Sequence, residues 1–332
     1  MIEAAITSIE PGPLQARFGY SVVWTGSEVV VWGGHVADLS LPRDEGAAFN
    51  PGTARWRPIA APPIEGMTWH FAAWSGTEML VLGPSGFAAY DPREDSWRKL
   101  PDPPFEIPRA NQQFASRSEY AWSGGHIYVW NPVSDELARF DVVADEWEVL
   151  EGPGLKVDPA RLLAEGDRLL VFGTRWPGSS VGPATEELLG AEWEGGVWAD
   201  LSPIDFLSDQ YANAADPGTA TFVGDSVLVW GDPSPDPGLA RVLAPDHTWD
   251  TAPAPPIDAN NAHPRPIPLN DGRVLALSEG GNAAIWEPDL NAWTPVGILP
   301  GTLGAREAIW TGHEVIAPGG PKPWRWIPPA AP

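Results

Sequence analysis

Cysteine is absent from the 332 residues, and lysine nearly so, with Lys99, Lys156 and Lys322 the only three. The first absence removes disulfides, thiolate nucleophiles and cysteine-type zinc sites. The second sets the charge. Asp and Glu number 44 against 20 Lys and Arg, giving a formal net charge of −24 at pH 7 without any acidic tract. A field of that sign repels phosphate backbones and anionic headgroups, so neither nucleic acid nor membrane is an expected partner. No apolar run approaches the roughly 18 residues that a membrane span needs. Met1 is followed by Ile-Glu-Ala-Ala-Ile, without a basic start or a long apolar stretch, so no signal peptide is read. The protein is then cytoplasmic if Met1 is its native start, and extracytoplasmic if this is the mature part of an exported protein. Catalytic signatures are also missing: no Gly-x-Ser-x-Gly elbow, no phosphate-cradling glycine loop, no His-Glu-x-x-His. No cofactor and no metal are expected.

What the chain does have is a repeat. Seven glycine turns separate pairs of short apolar runs, at Gly26, Gly76, Gly124-Gly125, Gly166, Gly224, Gly272 and Gly312, spaced 40 to 58 residues apart. In the first unit, residues 20–24 and 28–32 read as two strands about Gly26. Gly33-Gly34 end the second, residues 47–49 form a third, and residues 55–59 form a fourth carrying Trp56. The third strand ends in Phe49, Tyr90, Phe140 or Trp286, and seven residues later come Trp56, Trp97, Trp147 and Trp293, with looser counterparts at Trp198 and Trp249. A repeat of this period and content is that of a β-propeller, in which single blades cannot bury their own faces and must stack. The regular tryptophans are assigned to packing between blades. Burying one indole removes about 150–250 Å² from water, roughly 4–6 kcal/mol gross.

The fold expected is all-β, a seven-bladed propeller forming a single domain with four antiparallel strands per blade. The blades fall at about 13–62, 63–104, 105–154, 155–205, 206–256, 257–300 and 301–332 plus 1–12. The seventh unit contains no fourth strand. Residues 5–11 stand before the first unit as Trp56 to Pro62 stand before the second, so an N-terminal strand closes the last blade.

The units resemble the kelch repeat, in the bacterial manner of the central domain of galactose oxidase. Residues 17–34 read like the first half of that repeat, and Ala48-Phe-Asn-Pro with Trp56-Arg-Pro-Ile59 like the second. The diglycine persists at Gly33-Gly34, Gly280-Gly281 and Gly319-Gly320, and is replaced elsewhere. The resemblance implies that first strands line a central channel. It also implies that the fourth-to-first links and second-to-third loops, residues 174–190 among them, share one binding face. Copper oxidases of this kind use a tyrosine cross-linked to cysteine, which a cysteine-free chain excludes. The iron-binding Glu-x-x-x-Asp-x-x-x-His pattern of specifier-type kelch enzymes has no match.

Eight arginines map to that face: Arg17, Arg43, Arg109, Arg117, Arg161, Arg175, Arg265 and Arg306. Five of them, Arg17, Arg117, Arg161, Arg265 and Arg306, stand near the start of an inner strand. Such a set suits a carboxylate, sulfate or phosphate, or else pairs with acids such as Glu119, Asp158 and Glu307. His35, His70 and His263 map near the same mouth, where Tyr20, His70 or His263 would serve as a general base. His126, His247 and His313 fall in hairpin turns and read as solvated. Two functions follow. The first is a binding module for a protein loop or an anionic or glycan ligand, with Arg17, Arg117, Arg161, Arg265, Arg306, Trp69, Trp176 and His35 as contacts; a monomer is expected. The alternative is a channel-mouth lyase, isomerase or hydrolase acting on an acidic sugar, with a His or Tyr base and arginine clamps.

Overall fold

The computed structural model describes residues 6–36, 41–108, 118–155, 157, 160–174, 185–207, 219–230, 239–257, 265–278, 280–300, 307–320 and 322–331. In each unit the turn glycine adopts a positive φ, from 58° at Gly224 to 103° at Gly76, a backbone that side chains disfavour. In three of these turns a hydroxyl fixes the residue three places on: Thr25, Ser75 and Thr311 accept from the backbone N–H groups of Glu28, Glu78 and Glu314. The strands on either side pair antiparallel. Seven sheets result, each built on four strands in chain order except the last, with a fifth strand added in blade 4. That sheet holds Ile309–Trp310, Val315–Ala317 and Trp324–Trp326, and Ile6–Ser8 from the other end of the chain adds its fourth strand against Trp324–Trp326. The fold is therefore a seven-bladed β-propeller closed by its N-terminal strand.

The first strands of successive blades touch and form the inner ring. The core lies in seven seams between blades rather than in one centre. The seam of blades 1 and 2, for example, gathers Val30, Trp32, Met79, Val81 and Tyr90. The seam that closes the ring gathers Ile9, Val29, Val31, Phe49 and Ile316.

The recurring tryptophans lie across these seams. Trp56, Trp97, Trp147 and Trp293 face their expected partners in register, with ring centroids 5.0, 5.1, 5.1 and 5.3 Å from Phe49, Tyr90, Phe140 and Trp286. Each indole also donates its N–H to the backbone carbonyl of the segment leaving the preceding blade. Trp97 reaches Ala60, Trp147 reaches Pro101, Trp198 reaches Glu151, Trp249 reaches Ser202 and Trp293 reaches Pro253, at 2.8–3.1 Å. Trp56 does the same with Glu10 at 2.9 Å, so the closing seam is built like the others. Arginine latches reinforce three seams. Arg57 pairs with Glu28 and reaches Tyr90, Arg98 joins Glu78 to Asp145, and Arg325 joins Glu314 to the Pro51 carbonyl.

Two local expectations differ. The second strand of blade 1 does not stop at the diglycine but runs over Val29–Val36. Gly33 and Gly34 are there for close approach instead: a Cβ on Gly33 would lie 2.7 Å from His70, and one on Gly34 2.8 Å from the Phe18 carbonyl. In blade 4, part of the expected 174–190 loop is strand, since Thr185–Glu194 begins at residue 185. Its first half is paired by an additional strand, Ile204–Leu207, which extends that sheet.

Two outcomes are expected. Deleting residues 1–12 removes the closing strand and the Glu10 carbonyl, and should yield an aggregating or markedly less stable chain. A melt within a degree or two of the full-length protein would refute the closure. Trp97→Phe keeps the ring but strands the Ala60 carbonyl, and should cost about 1–2 kcal/mol in denaturant unfolding.

Candidate functional site

The arginines and histidines expected at the mouth meet different fates. Arg17 is buried and spent on its own blade. It donates to the Gln15 carbonyl at 3.1 Å and the Gly33 carbonyl at 3.3 Å, and pairs with Glu45 at 3.1 Å. His35 is buried too, edge-on to Phe18 at 3.7 Å. Tyr20 is buried against the Gly319 backbone. Burial first, and the Glu307 carboxylate second, push its phenol well above its ordinary range, so it stays protonated. The Glu307 carboxylate accepts from the Gly19 N–H at 3.1 Å. Arg265 is exposed at the start of its strand. Arg117, Arg306, Trp176 and His263 lie outside the described residues.

Three of the expected residues do come together. Trp69, His70 and Arg161 line one cavity of about 240 Å³ at the mouth, with Thr68, Ser118, Glu119 and Tyr120. Arg161 pairs with Glu119 at 3.3 Å across blades 3 and 4, and its Nη1 also donates to the Ala160 carbonyl at 2.7 Å. Ser118 is buried, and Tyr120 stacks on Phe71 with centroids 5.4 Å apart.

Trp69 is the unusual member. Its φ is +55°, a left-handed backbone rare for so bulky a residue, and its side chain is 40% exposed. The surrounding chain holds it there. Its N–H donates to the Gly19 carbonyl at 2.8 Å, and Gly19 itself has a positive φ. The indole lies over Gly19 so closely that a Cβ there would stand 3.0 Å from the ring. One side of the indole is thus backed by main chain while the residue lines the cavity. Strain concentrated at a cavity is a recognised mark of a functional position.

His70 is half-buried, with Nε2 2.8 Å from the Ser21 hydroxyl and its ring edge-on to Trp32 at 4.9 Å. Burial drives its pKa down to about 3, and the Met67 carbonyl beside it opposes this only in part. Such an imidazole is neutral at physiological pH and too weak a base for efficient proton abstraction. Among the described residues no group of three His, Asp or Glu side chains could hold a metal ion.

Glu119 entered the sequence reading only as a partner for arginine, and Thr68, Ser118 and Tyr120 did not enter it. A signal for Glu119 existed. Counting four residues back from the residues that open the turns, Thr25, Ser75, Ser123, Glu165, Val223 and Thr311, gives Ser21, Phe71, Glu119, Arg161, Thr219 and Glu307. The first five pair with Trp32, Leu82, Trp130, Phe172 and Trp230, so they occupy one level of the ring. His247 also departs from expectation, since it lies 2.6 Å from the buried Glu192 carboxylate that also holds Arg168.

The fold is that of a seven-bladed propeller with a cavity among its inner-strand starts. No protein-family model matches the chain. It is 25% identical over 214 residues to the human (Homo sapiens) Kelch domain-containing protein 3, an alignment covering 58% of this chain. The chain spans about half of that curated relative, 54% of its length. Among solved structures, YjhT matches 86% of this chain and 99% of its own, with a TM-score of 0.56 and 14% identity. The extracellular domain of the one component system BT4673 from B. thetaiotaomicron matches over 99% of this chain and 40% of its own, with a TM-score of 0.63 and 10% identity. The protein is a seven-bladed β-propeller with similarity to a kelch domain-containing protein.

The burial of neutral His70 has a pH consequence. An unfolded histidine protonates near pH 6.5, whereas His70 resists protonation down to about pH 3. Its contribution to stability is therefore complete above about pH 6.5 and is lost as pH falls from there toward 3. The melting temperature of His70→Gln should fall less between pH 7 and pH 4.5 than that of the wild type. Parallel curves would show that His70 is not a buried neutral group.

Proposed function

We propose that this propeller is a binding module whose ligand is gripped at one channel mouth, in the pocket between blades 2, 3 and 4. The observation that carries the reading is Trp69, a strained and exposed indole backed by Gly19 at a cavity lined by hydroxyl, carboxylate and guanidinium groups. A platform with polar groups around it suits a ligand with one flat apolar face and several oxygen atoms. A loop of a partner protein or an anionic or glycan ligand offers such a surface. Arg161 supplies a donor fork, and its pairing with Glu119 places an acceptor beside it. Arg265, exposed at the start of its inner strand, would meet a ligand larger than the pocket. His70 contributes a rigid neutral edge rather than a proton-transfer group.

A thermal-shift screen against sugars, uronic acids and peptides, followed by calorimetry on the hits, tests this. Trp69→Ala and Arg161→Ala should each weaken the selected ligand at least about tenfold, or about 1.4 kcal/mol, while leaving the melt near that of the wild type. Arg17→Ala should do the reverse, lowering the melting temperature with little direct effect on affinity. Unchanged binding by both Trp69→Ala and Arg161→Ala would remove the reading.

A further inference from the structure

Beneath the mouth the channel holds a second, larger cavity of about 530 Å³, extending to the end where the inner hairpins turn. The stacked pair Phe71 and Tyr120 lines both cavities and stands between them. Below that pair the cavity is walled by rings that are only half-buried, Trp122 of blade 3 and Phe222 of blade 5. The repeat explains the space between them. The residue just before the turn is Trp24, Trp74 and Trp122 in blades 1 to 3, Phe222 in blade 5 and Trp310 in blade 7, but Ala164 in blade 4 and Leu269 in blade 6. A small side chain between the aromatic positions of blades 3 and 5 leaves a notch flanked by two rings.

The exposed charges that line this notch are acidic. Arg273 lines the cavity but is buried and compensated, 2.7 Å from Asp271, 3.6 Å from Glu287 and donating to the Pro329 carbonyl at 2.9 Å. Glu165 and Asp225, on the turns of blades 4 and 5, line the same cavity and are exposed. Among the described residues, neither carboxylate takes part in an ion pair. Phe222 already meets a cation on one side, with the Arg168 guanidinium 5.9 Å from its ring centroid, and that guanidinium is itself paired with Glu192.

We propose that this notch is a binding site for a small organic cation, an ammonium or guanidinium compound seated over Ala164 between Trp122 and Phe222. The ring faces attract the cation through their quadrupoles, more strongly where water is displaced. Glu165 and Asp225 supply the counter-charge, and the cavity volume is that of a small-molecule site. The net charge of −24 favours cation approach at low ionic strength. The site is separate from the mouth pocket, so it stands or falls independently of the ligand bound there.

Calorimetric titration of the full chain with choline, with agmatine, and with the uncharged tert-butyl isostere of choline tests the assignment. At least one of the two cations should bind, and the isostere should bind at least tenfold more weakly than choline if choline is that ligand. Glu165→Gln with Asp225→Asn should weaken the cation several-fold and flatten its salt dependence. Ala164→Phe should fill the notch and abolish binding while the melt shows a folded ring. Trp69→Ala should leave cation affinity unchanged. The proposal is overturned if neither cation binds, if choline binds and the isostere matches it, or if folded Ala164→Phe binds as the wild type does.

Discussion

The hydrogen bond from a fourth-strand indole to the carbonyl leaving the preceding blade is the contact on which the architecture depends. A four-stranded blade has two apolar faces and is stable only when both are covered. Hydrophobic burial alone would hold two blades together without fixing their rotation. The indole supplies that missing specification: its ring packs in the seam and its N–H is satisfied only at one angular position. The six bonds, Trp56 to Glu10 among them, repeat the same geometry around the ring. The arginine latches from Arg57, Arg98 and Arg325 act further out, where solvent screens them, and add alignment more than energy.

Much of this was legible in the chain because the signals are local. A glycine that must take positive φ, an aromatic at the end of one strand and a tryptophan seven residues on are all short-range patterns. Their structural consequence, a cross-strand pair, is short-range as well. The closing strand was legible because the seventh unit is visibly incomplete. Blade 4 was less so, since its third strand is lengthened by pairing with Ile204–Leu207, a contact no local pattern encodes.

The mouth was legible as a level but not as a pocket. Arg17 and Arg161 look alike in sequence, yet Arg17 stands four residues before the ring level of Ser21 and is drawn into the loops around Gly33 and Glu45. Arg161 stands on that level and meets Glu119 from the neighbouring blade. The difference depends on which residues face one another between blades, and that is set by ring geometry. Trp69 illustrates the same limit: nothing in its neighbours' identities announces a left-handed backbone, which follows from how Gly19 and the inner strand of blade 1 receive it.

In six of the seven seams the acceptor is a main-chain oxygen, which all twenty amino acids carry. A blade therefore recognises its neighbour without reading its side chains at that point, and the residues Glu10, Ala60, Pro101, Glu151, Ser202 and Pro253 share no chemical character. Adjacent blades are in this respect interchangeable parts. Substitution can rework the loops and the inner level of one blade while the joint to the next stays intact, and neighbouring blades have in fact come to carry an aromatic ring, a carboxylate and a guanidinium at one shared height.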